Sequence, residues 1–169
     1  MKKGIIIIGF LAVLVGAISF LLWTKDGCAC KTLIDDPYAY FEVFKEIYKD
    51  GGAVPRTYLA VDLSEINLSD SAILMEHIKE FSENKSYELI FGTYEELIEQ
   101  GIWVEGLNDD FYRNGGASIY MKTGKIKGKS LLVEATMVCG SLCANGYEYK
   151  VIKTGDTWKV NKTGKTWVS

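Results

Sequence analysis

Apolar residues are distributed along this chain in three different ways, and each distribution predicts a different kind of structure. Residues 4–23 contain no charged side chain and a single hydroxyl group. Between residues 36 and 101, apolar residues recur mainly at helical spacing, around two short apolar runs. From residue 117 onward, apolar and polar residues largely alternate, as they do in β-strands. We therefore expect an apolar N-terminal segment, a helix-rich part and a β-rich part.

Residues 4–23 are long enough to cross a membrane. As a helix rising about 1.5 Å per residue, a segment of this length spans the roughly 30 Å hydrocarbon core. Lys2 and Lys3 precede it, whereas the charges directly after it cancel. Because a positive flank favours the cytoplasmic side, we expect a single-pass membrane protein with a cytoplasmic N-terminus and residues 24–169 outside.

Two other interpretations of the N-terminus stay open. A cleavable signal peptide also combines a charged start with an apolar run, and residues 17–19 offer small side chains for cleavage, although residues 20–23 continue the run. A lipoprotein would be cut before Cys28, but residues 25–27 are not the small and apolar residues that such signals need. An uncleaved anchor is the interpretation that we favour.

The rest of the chain divides into a tether, residues 24–35, and a single domain, residues 36–169. Charge is unevenly distributed over it. Residues 24–112 contain 7 basic and 19 acidic residues, and residues 113–169 contain 10 basic and 3 acidic residues. The two parts are therefore expected to attract each other.

Three helices and two strands are predicted in the first part of the domain. Asp36 is a suitable N-cap with Pro37 at the first helical position. Ser69 or Ser71 begins the second helix, and a capping box of Thr93 and Glu96 begins the third. The two strands, residues 58–61 and 87–91, flank the second helix, an order that favours a parallel crossover.

The β-rich part is predicted to be an antiparallel meander. Its runs are separated by Thr-Gly-Lys, Ile-Lys-Gly, Ala-Asn-Gly and Thr-Gly-Asp sequences, which are typical of turns. The runs are residues 117–121, 129–139, 147–153, 157–162 and 166–169. The expected fold class is α+β: an N-terminal transmembrane helix, about three helices with a short strand-helix-strand unit, and a C-terminal antiparallel β-meander.

The end of the chain resembles a known class of domain. Gly155-Asp156-Thr157-Trp158-Lys159-Val160 in the penultimate run and Thr166-Trp167-Val168-Ser169 at the end are similar to the last strands of small bacterial extracytoplasmic domains of NTF2-like or cystatin-like type. The resemblance covers about the last 50 residues. It implies a curved meander behind a helix-rich first half, and it identifies no functional residue because the shared pattern is structural.

Four cysteines are the first candidates for chemistry. Cys139 and Cys143 end one strand and open the next loop, and in an oxidising compartment this arrangement favours a disulfide. The alternatives are free thiols, or a metal or redox site that also uses Cys28 and Cys30. Zinc sites usually place at least two residues between paired cysteines, and no Cys-x-x-Cys is present. We predict the disulfide, with no metal and no cofactor.

His77 and three lysines are weaker candidates. His77 is the only histidine, and its place on the edge of an apolar helical stripe favours a partly buried structural role. Lys125, Lys127 and Lys129 are suited to contact anionic lipid or cell-wall polymers. Lysines of this kind also occur simply as solvated residues that prevent strands from pairing at a sheet edge.

No catalytic residue is assigned, because the sequence contains no phosphate-binding or dinucleotide-binding motif. Ser82-Glu-Asn-Lys85 and three Lys-Thr-Gly sequences match elements of penicillin-recognising enzymes, but no Ser-Asp-Asn accompanies them and the Lys-Thr-Gly copies lie in or beside expected turns. The sequence predicts a non-enzymatic, membrane-anchored binding domain. Its partner would be another protein or an anionic component of the envelope, and not nucleic acid. The rival hypothesis is a small envelope hydrolase or a thiol-redox enzyme.

The membrane segment is directly testable. We expect the protein in the membrane fraction to retain residues 1–23, because the apolar run continues past the small residues that a signal peptidase would recognise. Mass spectrometry of the intact protein measures this. A mature N-terminus at Phe20 would show that the segment is a cleaved signal peptide.

Overall fold

The computed structural model describes residues 34–51, 55–101, 115–140 and 143–168, and each of its elements belongs to one mixed sheet or packs against it. The helices are α1 (Pro37–Asp50), α2 (Ala72–Ser82) and α3 (Tyr94–Glu99). The strands are β1 (Tyr58–Glu65), β2 (Glu88–Phe91), β3 (Ala117–Lys127), β4 (Ser130–Gly140), β5 (Cys143–Thr154) and β6 (Thr157–Val168).

The strand order in the sheet is β2-β1-β3-β4-β5-β6. β1 pairs in parallel with β2 on one side and with β3 on the other, and β3 to β6 pair with antiparallel neighbours. In the β1–β3 pair, Leu59 lies opposite Ala117 and Val61 opposite Ile119. The predicted crossover from β1 to β2 is therefore parallel, as expected.

The predicted fold class is wrong in its architecture. We expected a strand-helix-strand unit beside a separate antiparallel meander, but β1 pairs with β3 and makes one six-stranded mixed sheet of both. Periodicity reports which side of a strand is buried and does not report which strand lies beside it. The predicted transmembrane helix, residues 4–23, lies outside the described residues. Within the part of the chain that is described, no helix is long and apolar enough to cross a membrane.

The β-rich part contains four long strands where the sequence predicted five shorter ones. The predicted turns at residues 123–125 and 144–146 lie inside β3 and β5, beside irregularities in strand register. The run 166–168 continues β6 and is not a separate strand. Glycine in these sequences therefore does not always mark a turn.

Gly124 and Gly155 illustrate the two uses of glycine. A Cβ atom on Gly124 would lie 2.9 Å from the carbonyl oxygen of Leu132 on β4, so this position requires close approach of two strands. Gly155 has φ +62° and lies in the tight turn between Thr154 and Thr157. Only the second case needs the left-handed conformation that glycine adopts without strain.

The predicted helix starts are largely confirmed. The Asp36 side chain accepts a hydrogen bond from the Tyr38 N–H at 3.1 Å, with Pro37 in the first turn. Thr93 and Glu96 form both halves of the capping box. Ser71 occupies the N-cap position of α2 but makes no capping bond with its side chain.

The core lies between one face of the sheet and the helices α1 and α2. α1 contributes fully buried aromatic and aliphatic side chains, and β3 to β5 contribute their alternate residues. Phe81 of α2 packs edge-on against α1, with ring centroids 5.6 Å from Phe44 and 5.2 Å from Tyr48. Because each fully buried large apolar side chain contributes about 1.5–3 kcal/mol, this layer is the main source of stability.

The third helix covers the opposite face of the sheet. Leu97 of α3 packs against Ala60 of β1, whereas the neighbouring residues Leu59 and Val61 belong to the core under α1 and α2. Successive residues of a strand point to opposite faces. The helices that follow β1 and β2 therefore lie on opposite sides of the sheet.

Ion pairs connect the acidic and the basic parts of the chain. Lys153 Nζ lies 3.2 Å from Asp36 Oδ2, Lys162 Nζ lies 2.7 Å from Asp50 Oδ2, and Lys122 pairs with Glu65. These contacts agree with the attraction expected from the charge distribution. The Lys122–Glu65 pair is exposed to solvent. The other two pairs are partly exposed, and each contributes at most about 1 kcal/mol.

A substitution at the end of α1 tests the packing of this core. Gly51 is buried, and a Cβ atom there would overlap the Sδ atom of the fully buried Met137 and lie 3.0 Å from its Cγ atom. We expect Gly51→Ala to lower the free energy of unfolding by about 1–3 kcal/mol, since extra volume in a packed core forces strain. Thermal or denaturant unfolding measures the change.

Gly164→Ala provides the matched control, because a Cβ atom at Gly164 meets no other atom within 4 Å. We expect it to change stability by less than about 0.5 kcal/mol. Equal effects of the two substitutions would contradict the packing described for Gly51.

Candidate functional site

A crevice of about 330 Å³ lies outside the carboxyl ends of β1 and β2. Its apolar lining comes from Val61, Leu63, Met75 and Phe91, and its polar lining from Asp62, Ser64, Ser71, Thr93 and Glu96, with Gly92 between the strand and the helix. The strands provide the floor, and the first turns of α2 and α3 provide two walls.

The position of this crevice follows from the topology. β1 and β2 are adjacent and parallel, and the helices that follow them lie on opposite faces of the sheet. The chain therefore separates at the ends of these two strands and leaves an open space between the two connections. In open α/β sheets, ligands bind in crevices outside the carboxyl ends of the strands.

Two carboxylates are the charged groups of the lining, and both are held by backbone N–H groups. Asp62 Oδ1 accepts a hydrogen bond from the Ser64 N–H at 2.9 Å. Glu96 Oε2 accepts one from the Thr93 N–H at 2.8 Å. The second oxygen of each receives no hydrogen bond from the described residues, and the lining contains no lysine or arginine. The crevice is therefore acidic, with acceptor atoms still available.

The helix starts at the crevice are already occupied by the protein's own side chains. The N–H group of Ala72, at the start of α2, donates to Asp70 Oδ1 at 2.8 Å. At the start of α3, the Glu96 N–H donates to the Thr93 hydroxyl at 3.3 Å. Free N–H groups at helix starts favour anions, so this arrangement makes the crevice unfavourable for a phosphate or carboxylate ligand.

A second polar cluster lies beside the crevice on the open face of the sheet. Lys122 pairs with Glu65, and their hydrogen bond holds the pKa of Glu65 below its usual range and raises the pKa of Lys122. Burial, followed by the hydrogen bond to Glu65, raises the pKa of Tyr120, which lies opposite Asp62 in the sheet. Lys122 therefore neutralises Glu65, and no lysine or arginine among the described residues forms an ion pair with the crevice carboxylates.

His77 lies away from the crevice, between α1 and α2. Its ring centroid is 4.7 Å from that of Tyr38 and 5.4 Å from that of Phe41, and its Nδ1 atom lies 3.6 Å from Glu80 Oε2. Its Nε2 atom is buried without a hydrogen-bond partner among the described residues. The structural role that we predicted for His77 fits this aromatic setting but stays a prediction.

The predicted disulfide is present between Cys139 and Cys143, whose Cα atoms are 5.1 Å apart. It joins the end of β4 to the start of β5, at the end of the sheet opposite the crevice. Cys28 and Cys30 lie outside the described residues. Within the described part of the chain, no group of three or more histidines, cysteines or acids is arranged to hold a metal ion.

The three candidate lysines lie together on the β3–β4 hairpin. Lys125 and Lys127 are exposed on the last residues of β3, and Lys129 is exposed in the turn. Neither the crevice nor the disulfide includes them. The described candidates therefore lie in three separate places. His77 lies between α1 and α2, the disulfide joins β4 to β5, and the three lysines lie on this hairpin.

Sequence reasoning missed the crevice itself. Asp62 follows directly after the predicted strand, and Thr93 and Glu96 were recognised only as a helix cap. The predicted parallel crossover would have drawn attention to the carboxyl ends of β1 and β2. The sequence did not show on which face of the sheet α3 packs. That face decides whether the connections after β1 and β2 diverge and leave a crevice between them.

Comparisons with known proteins identify no family. No family model matches the chain, and no curated protein matches it. Among solved structures, an S-adenosylmethionine-dependent methyltransferase from Clostridium acetobutylicum aligns with 87% of this chain and 82% of its own, at 10% identity and a TM-score of 0.18. A likeness this low carries no argument about fold or activity. The resemblance to NTF2-like or cystatin-like domains stays a prediction.

Reduction of the disulfide tests its contribution to stability. The bond closes a short loop, and loop-closure entropy increases with loop length, so we expect it to contribute only about 1–2 kcal/mol. Reduction should lower the melting temperature by several degrees and leave the domain folded. Calorimetry with and without reductant measures this shift, with Cys139→Ser/Cys143→Ser as the matched variant. A protein that unfolds completely on reduction would contradict this estimate.

Proposed function

We propose that this protein is a membrane-held extracytoplasmic binding domain whose crevice takes a small ligand with a cationic amine group. The observation that carries the proposal is the acidic crevice at the carboxyl ends of β1 and β2. It combines a position where α/β sheets bind ligands with a lining whose charged groups are both carboxylates.

The dimensions and lining of the crevice support a small ligand. Its volume of about 330 Å³ is at the lower end of the range for ligand sites. Leu63, Met75 and Phe91 offer an apolar surface for an aliphatic body. Asp62 and Glu96 each offer a carboxylate oxygen to an ammonium group, and such charge-assisted hydrogen bonds are the stronger ones.

Features of the sequence support the location. Residues 4–23 are uncharged, and lysines precede them, which favours export of the rest of the chain. The Cys139–Cys143 disulfide agrees with an oxidising compartment outside the cytoplasm. A protein partner or an anionic component of the envelope would contact the surface outside the crevice.

Binding is favoured over catalysis because, among the described residues, the candidates for covalent and acid–base chemistry lie apart. His77 lies between α1 and α2, and Cys139 and Cys143 are bonded to each other at the far end of the sheet. Neither lines the crevice. Asp62 and Glu96 would have to act alone, and both are positioned by backbone N–H groups of a turn and a helix cap.

Three probes of the same length and different charge test the ligand class: butylamine, butanol and butyrate. We expect butylamine to shift the Met75 methyl resonance of the full-length protein in lipid nanodiscs in a saturable way. The other two should bind at least about tenfold more weakly, because a hydrogen bond to a charged group contributes about 1.5–3 kcal/mol. Methyl NMR titration measures the three affinities.

Two conservative variants identify the groups responsible. Asp62→Asn and Glu96→Gln keep an oxygen for the Ser64 and Thr93 N–H groups, so the local fold is retained. Each should weaken butylamine binding about tenfold. Glu99→Gln, an exposed acid of α3 that does not line the crevice, is the control and should change nothing. A Met75 resonance that responds to none of the probes, or equally to all three, would overturn the proposed ligand.

A further inference from the structure

The β3–β4 hairpin carries a concentrated group of positive charges. Residues 121–133 contain four lysines and no acid. Lys122 pairs with Glu65, but Lys125, Lys127 and Lys129 are exposed and make no ion pair with the described residues. We call these three side chains the hairpin lysines.

Neighbouring charges do not cancel the hairpin lysines. At the same end of the sheet, Asp36 is paired with Lys153. Asp70 and the crevice carboxylates Asp62 and Glu96 lie on the β1–β2 side of this end. Asp156 in the β5–β6 turn and Lys159 on β6 are both exposed. The hairpin lysines therefore form a basic patch on the β3–β4 side of this end, beside the acidic crevice on its β1–β2 side.

The hairpin lies at the end of the domain where the described chain begins. Asp36, at the start of α1, is bonded to Lys153 at the carboxyl end of β5, and the adjacent Ile152 lies opposite Ser130 at the start of β4. Asp35 accepts a hydrogen bond from the Ser69 hydroxyl at 2.6 Å, just before α2. The start of α1, the crevice and the hairpin thus share one end of the sheet.

The connection to the membrane segment is short. Residues 24–33 lie between the apolar segment and the first described residue. Fully extended, these ten residues reach at most about 35 Å. The end of the domain that carries the hairpin lysines therefore stays near the surface of any membrane that holds residues 4–23.

We propose that the hairpin lysines dock the domain on anionic phospholipid head groups of the membrane that holds residues 4–23, so that the crevice lies beside the lipid surface. This inference rests on the proposed membrane location and is independent of the ligand proposed for the crevice. Each lysine near an anionic surface improves binding by a factor of about five. Three lysines then favour the docked state about a hundredfold, and salt screens the effect because the charges are exposed.

Orientation on a membrane is measurable with the full-length protein in nanodiscs that contain gadolinium-labelled lipid head groups. We expect the amides of residues 125–130 to be broadened more than those of residues 143–146, which lie at the opposite end of the sheet. The difference should appear in nanodiscs with phosphatidylglycerol and be lost in nanodiscs of phosphatidylcholine alone. Added salt should also remove it.

A charge-matched pair of variants makes the test specific. Lys125→Gln/Lys127→Gln/Lys129→Gln should lower the ratio of docked to undocked protein about a hundredfold. Lys49→Gln/Lys79→Gln/Lys85→Gln removes equal charge from α1, α2 and the turn after it and should retain docking. Equal broadening of both ends in anionic nanodiscs, or unchanged broadening in the hairpin variant, would overturn the inference.

The same experiment separates this inference from the proposed location. A protein that remains in the nanodisc without orienting contradicts the docking alone. A protein that does not associate with nanodiscs of either composition contradicts the location and the docking together. Tighter binding to a soluble acidic polymer, such as polyglutamate, than to anionic nanodiscs would also overturn the assignment of lipid as the partner.

Discussion

The parallel pairing of β1 with β3 is the contact on which the rest of this structure depends. It joins two parts of the chain that are separated by more than 50 residues, and it places Leu59 and Val61 in register with Ala117 and Ile119 under α1 and α2. Without this pairing, the β1-α2-β2 unit would be a two-stranded sheet with little core of its own, and such small sheets are marginally stable. The pairing joins the β1-α2-β2 unit and strands β3 to β6 in one buried layer. Ion pairs between the acidic and basic parts of the chain lie at the edge of this layer and contribute less to stability.

The crevice for which we propose a ligand lies at the carboxyl ends of β1 and β2. The helices that follow these two strands lie on opposite faces of the sheet and leave this space open between them. Many crevices of this kind bind phosphate at a helix start. Here Asp70 and the Thr93–Glu96 capping box occupy the helix starts, and the acceptor atoms of Asp62 and Glu96 support the cationic ligand that we propose.

Local features were predicted well where short-range chemistry decides them. The Asp36 cap, the Thr93–Glu96 box and the short loop of the Cys139–Cys143 disulfide each depend on residues a few positions apart. The turns were predicted less well, because glycine has two uses that look alike in sequence. Gly155 lies in a tight turn, whereas Gly124 lies inside a long strand at a close approach to the backbone of β4. The two uses of glycine differ only in whether another strand lies close by, and the sequence does not show which strand that is.

The sequence by itself determined the apolar segment at residues 4–23, the helix caps, the parallel strand-helix-strand order and the separation of acidic from basic charge, because each is a property of composition or of residues close together in the chain. Only the tertiary structure decided the single mixed sheet, the crevice with Asp62 and Glu96, and the position of the start of α1 at the same end of the sheet as the lysine hairpin. These features depend on which strand lies beside β1 and on which face α3 packs. Both choices depend on side-chain packing between distant residues, which hydrophobic periodicity does not encode.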